Sequence, residues 1–172
     1  MTRADALQRA TDYFDSGELR QTLAHRVAFA TESQEPTQAP VMSAYLNEHM
    51  VPLLESLGFV CQIWPNPVAG GPQFLFAERA EHDAPFAVLS YGHGDVVRGY
   101  AAQWRAGLEP WVMVVDGDRW YGRGTADNKG QHSINLGALQ QVLAVRGGQL
   151  GYSFKLLRET VEYVGSSGSP AV

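Results

Sequence analysis

A chain of 172 residues, 45% hydrophobic and 18% charged, is long enough for one domain with a sizeable core and too apolar to remain disordered. A formal net charge of -5 with only two lysines excludes a charge-driven nucleic-acid binder, because phosphate contacts depend on Lys and Arg. No run approaches the roughly 18 apolar residues of a membrane span, and no signal-peptide core opens the chain, so a cytoplasmic protein without a membrane partner is expected. The single cysteine, Cys61, has no disulfide partner and reads as a buried thiol.

In chain order, residues 4–14 and 18–30 predict helices broken at Asp15-Ser16-Gly17, where Ser16 is a candidate cap. Leu19, Leu23, Val27 and Ala30 recur at helical spacing in the second of these. Residues 41–57 predict a helix with Met42, Tyr45, Leu46, Met50, Leu53 and Leu54 on one face, bent or broken at Pro52 and stopped by Gly58. Residues 59–64 and 73–78 predict strands around a proline-rich turn. The apolar run 85–91 predicts a strand in the buried middle of a sheet. Residues 112–115 and 119–121 flank Asp116-Gly117-Asp118 as a hairpin. Residues 131–145 predict a helix with Ile134, Leu136, Leu139, Val142 and Leu143 facing inward, and residues 152–158 a further strand. Strands separated by helices predict an α/β class: a three-layer α/β/α arrangement around a mixed, mostly parallel sheet, with any site on loops at the strand ends.

Two stretches carry chemistry: Gly92-His93-Gly94-Asp95 at a strand end, and Tyr121-Gly122-Arg123-Gly124-Thr125-Ala126-Asp127-Asn128-Lys129-Gly130 at a turn into a helix. Taken singly, His93 reads as a packed core histidine, Asp95 as a turn aspartate and Asp127 as a helix cap. Taken together, an imidazole and a carboxylate delivered by different loops suit zinc, which takes N and O ligands and keeps a position open for water. His93 and Asp95 lie two apart, so an extended strand end turns both to one face, and Asp95 can hold one ring nitrogen while the other binds metal. Arg123 and Lys129 read either as anion contacts or as solvated turn charges. His132 reads as a surface or supporting residue, and His25, His49 and His82 as ordinary histidines. Trp104, Trp111 and Trp120 read as core or as pocket wall.

GHGDVV followed by WYGRGTADNKG resembles the aminoacylase, acetylornithine deacetylase, succinyl-diaminopimelate desuccinylase and glutamate carboxypeptidase family of zinc metallopeptidases, from about residue 18 onward. The resemblance implies that residues 1–172 are the N-terminal portion of a catalytic domain with an incomplete phosphorylase/hydrolase-like zinc exopeptidase fold, lacking the lid and dimerisation domain. It implies His93 as a terminal metal ligand, Asp95 as the residue orienting it, Asp127 as a carboxylate bridging two metals, Glu162 as general base, and a cis peptide at Asp127–Asn128. Where the family carries two adjacent glutamates, this chain has Glu162-Tyr163, a phenol in place of the second carboxylate. With His93 and Asp127 the only ligands for the first metal, weak zinc binding by this chain is expected. The implied activity is hydrolysis of amide bonds in N-acyl amino acids or peptides with one or two zinc ions, cobalt or manganese being substitutes. Open beside it stands a truncated, non-catalytic relative acting as a binding or interaction domain. An uncovered sheet edge is expected to favour self-association.

Overall fold

The computed structural model describes residues 2–168. Helix α1 (Arg3–Asp15) opens with a capping box, in which the Thr2 hydroxyl accepts from the Asp5 backbone and the Asp5 carboxylate accepts from the Thr2 backbone. Ser16 closes α1 and does not open α2 (Glu18–Val27), which starts from Gly17 in the left-handed region at φ 83°. The helix expected over residues 41–57 is a continuous rod in three parts: α3 (Ala39–Ala44), a π-helical Tyr45–Met50, and α4 (Val51–Ser56). Pro52 lacks the N–H that an α-helix needs and its ring would strike the carbonyl a turn earlier; the wider π turn just before it removes that conflict.

Strands β1 (Val60–Trp64), β2 (Phe74–Arg79), β3 (Ala87–His93) and β6 (Ser153–Glu159) form one sheet in the order β1-β2-β6-β3. The β1/β2 and β2/β6 pairs are antiparallel and the β3/β6 pair is parallel, so the sheet is mixed and the α/β class stands. Its antiparallel character comes from β1 and β2. The hairpin β4 (Val114–Asp116) and β5 (Arg119–Tyr121) is a separate two-stranded sheet and does not mix the main one.

Strand β3 is a correction. It lies at the sheet edge among the described residues, and Leu89 and Tyr91 are 67% and 52% exposed. The middle is held by β2 and β6. An apolar run reads alike at an edge and in the centre, because apolarity on both faces conceals the period of two.

The core lies on one face of the sheet, where Leu75, Ala77 and Leu156 pack against Tyr45, Leu46, Met50 and Leu54 and against three leucines of α5 (Lys129–Val145), Leu136, Leu139 and Leu143. Ile134, expected to face inward, is exposed, because it lies around the helix from Leu136 and Leu139. Trp120 leaves the core to stack on Phe14, and Trp104 and Trp111 are half-buried. Cys61 is half-buried and free, and burial pushes its thiol up to about 11. No helix among the described residues is long and apolar enough to cross a membrane.

The parallel pair positions the site. His93 stands opposite Glu159, so β3 and β6 release their loops at the same end of the sheet, and the Gly94 N–H donates to the Glu159 carbonyl at 2.7 Å.

Candidate metal centre

His93 is buried at the last position of β3, and both flanking glycines have a steric reason. A side chain at Gly92 would strike the His132 ring, and one at Gly94 would strike the Tyr45 ring. On the far side, Gly124 takes φ 84° and α5 begins at Lys129 directly after the turn. A Cβ at Gly130 would run into the Thr125 carbonyl, so this helix start closes tightly on the segment carrying Asp127. The Asp127–Asn128 peptide is cis.

These elements bring His93 and Asp127 together. His93 Nε2 lies 3.2 Å from Asp127 Oδ1, although the two residues are 34 apart in sequence. His93 Nδ1 lies 3.3 Å from both the backbone oxygen and Oδ1 of Asp95. Asp95 is itself fully buried, and its two carboxylate oxygens accept the backbone N–H groups of Glu162 (3.2 Å) and Tyr163 (3.1 Å). One carboxylate therefore ties the loop after β6 to the imidazole at the end of β3.

The Nδ1 contacts place the ring proton on that side, leaving a lone pair on Nε2 that faces a second acceptor, Asp127 Oδ1. Two acceptors at that separation repel unless a proton or a cation lies between them. Burial works against a charged His93, yet the carboxylates of Asp95, Glu162 and Asp127 outweigh it and hold the ring above its ordinary value. The slot favours positive charge.

Tyr163 meets both members of the pair. Its ring packs edge-on against His93 with centroids 5.4 Å apart, and its hydroxyl donates to Asp127 Oδ2 at 2.6 Å. That bond holds Asp127 below the usual carboxylate range. Burial, with the Asp127 carboxylate beside it, pushes the phenol well above its ordinary value, so Tyr163 stays protonated. Glu162 contributes its backbone N–H to Asp95; no side chain among the described residues is hydrogen-bonded to its carboxylate.

Beneath the centre lies a buried cationic layer that sequence reasoning missed. Lys129 is no solvated turn charge: its ammonium donates to the Phe29 carbonyl at 2.6 Å, and burial pulls it down to about 7 despite the Asp95 carboxylate nearby. His132 is buried with both ring nitrogens unpartnered among the described residues, and burial, with Arg158 and Arg26 close by, drives it far below the usual imidazole range. Arg26 bonds the Ser133 hydroxyl at 2.5 Å and His49 Nε2 at 3.1 Å. No spacing rule announces such burial, since Arg, Lys and His are ordinarily surface residues.

Residues 89–172 match the model of peptidase family M20/M25/M40. Over that stretch the chain is similar to the M20 peptidases. A succinyl-diaminopimelate desuccinylase of Alkalilimnicola ehrlichii is 34% identical over 113 residues, covering 60% of this chain and 26% of that protein. Human carnosine dipeptidase 1 superposes with a TM-score of 0.78 at 25% identity, over 94% of this chain and 36% of its own. The M20 family metallo-carboxypeptidase Sso-CP2 of Sulfolobus solfataricus superposes with a TM-score of 0.68 at 27% identity, over 87% of this chain and 32% of its own. The chain therefore spans about a quarter of the curated protein it matches and about a third of these solved structures.

The donors can be tested against the metal that such a lineage implies. Two ligands about 2.0–2.2 Å from a tetrahedral ion stand roughly 3.3–3.6 Å apart, close to the 3.2 Å between His93 Nε2 and Asp127 Oδ1. One nitrogen and one oxygen fit. Among the described residues, however, no group of three His, Cys, Asp or Glu forms a complete cage. His93 and Asp127 would supply two donors of such a set.

Proposed function

We propose that this chain is the part of a metal-dependent amide hydrolase that presents His93 and Asp127 to a zinc ion and Glu162 to the reacting water, with N-acyl amino acids or peptides as substrates. The observation that carries the reading is the approach of His93 Nε2 to Asp127 Oδ1 at 3.2 Å. A zinc ion there, or cobalt or manganese in its place, would supply a Lewis acid and an acidified water. Asp95 has the positioning role: it fixes the His93 tautomer and holds the Glu162 backbone at 3.2 Å. Glu162 takes a proton from the attacking water and returns it to the leaving amine. The match to a desuccinylase and the likeness to a dipeptidase favour this reading over a non-catalytic binding domain. Cytoplasmic residence and self-association through the β3 edge belong to the same reading.

The test uses the full chain with added zinc, cobalt or manganese, assayed against N-succinyl and N-acetyl amino acids and dipeptides. Turnover is expected to be low, because two protein ligands hold the ion, and to vanish with a chelator. Glu162→Ala should lower it about 10²–10⁴-fold with metal content unchanged. Lost metal with unchanged residual turnover would rule out the base assignment, and turnover indifferent to chelation would rule out the metal.

A further inference from the structure

We propose that Asp127 is a one-sided ligand: Oδ1 joins His93 Nε2 on a single divalent cation, while the Tyr163 hydroxyl occupies Oδ2, so the centre takes one ion and not a bridged pair. This rests on the metal reading of the site and departs from the two-metal bridge that the resemblance implies for Asp127. A carboxylate that bridges two ions with one oxygen on each needs both oxygens free. Here Oδ2 accepts from Tyr163 at 2.6 Å, a charge-assisted bond of the strong kind.

Tyr163 is held in that position from two sides. Its backbone N–H donates to Asp95 Oδ2 at 3.1 Å, and its ring lies edge-on to His93 at an interplanar angle of 80°. The phenol is thus fixed by the residue that orients His93 and by His93 itself. Its hydroxyl hydrogen is directed at Asp127 Oδ2, and a phenol oxygen is a poorer zinc donor than the carboxylate it replaces. A second ion on the Oδ2 side would have to displace that hydroxyl. The hydroxyl supplies, as a fixed dipole, part of the positive potential that a second ion would bring.

Ion stoichiometry decides it. The full 172-residue chain is dialysed to equilibrium against buffered free zinc, and bound metal is counted by mass spectrometry for wild type, Tyr163→Phe, Tyr163→Glu and His93→Ala, each checked for native circular dichroism. Wild type should take one zinc, lost in His93→Ala. Tyr163→Phe should still take one, because removing the phenol adds no donor. Tyr163→Glu should take a second, and loaded with manganese it should show the electron paramagnetic resonance of a spin-coupled pair. Two ions in wild type, or a natively folded Tyr163→Glu that stays at one, would overturn the one-sided assignment and leave the metal reading intact. No zinc in wild type and His93→Ala alike would defeat both.

Discussion

At the scale of single residues, the site is a set of side chains whose protonation is governed by what surrounds them. His49 offers a test away from His93 and Asp127. Burial, together with the charges of Arg26, His25 and Lys129, lowers it from its ordinary 6.5 to about 3, and its Nε2 accepts a hydrogen bond from Arg26 at 3.1 Å. Between those two values the unfolded chain binds a proton that the folded chain refuses. The stability His49 contributes is therefore complete above pH 6.5 and lost progressively as pH falls toward about 3. His49→Gln keeps an acceptor for Arg26 without a titrating ring. Its urea midpoint should fall less than that of wild type between pH 7 and pH 4, and parallel profiles would contradict the assignment. His49 looked ordinary in the sequence, with no constellation around it, because its partner Arg26 lies 23 residues away on another helix. The opposite holds for His93 and Asp127. Their glycine-bounded contexts were readable because tight backbone geometry leaves a mark on the sequence, whereas the Tyr163–Asp127 bond leaves none.

At the scale of elements, the helices were legible and the sheet less so. Amphipathic periodicity located α2, α5 and the long rod around Pro52, because each buries a set of apolar side chains. Strand positions were also readable, but pairing was not: β2 pairs with β6 across the 73 residues between Arg79 and Ser153, and local pattern carries no record of so distant a neighbour. The start of α5 is where an element most directly shapes the site. Gly130 permits the helix to close on the Thr125 carbonyl, and a methyl group there would collide with backbone that cannot swing aside. Gly130→Ala should cost about 1–3 kcal/mol or more in chemical denaturation and should move Asp127 away from His93, weakening zinc uptake. A variant as stable as wild type with unchanged zinc affinity would show that this close approach does not position the turn.

At the scale of the whole molecule, the sheet buries one face under helices and leaves β3 uncovered on the other. Phe86, Leu89 and Tyr91 are 57%, 67% and 52% exposed beside a strand edge that has no partner among the described residues. Such an edge templates pairing with another chain, and an apolar patch beside it strengthens the contact. Sedimentation of the purified chain should show concentration-dependent association that Leu89→Lys reduces. A monomer at every concentration in both proteins would contradict this.

The convergence of His93 and Asp127 on one cation is tested most directly by nuclear magnetic resonance of the imidazole nitrogens, following the full chain as zinc is added. His93 Nε2 should shift on binding while Nδ1 keeps its proton toward Asp95, and Asp127→Ala should weaken the response. A His93 ring unmoved at saturating zinc, with the metal felt instead at His25 or His49, would contradict it.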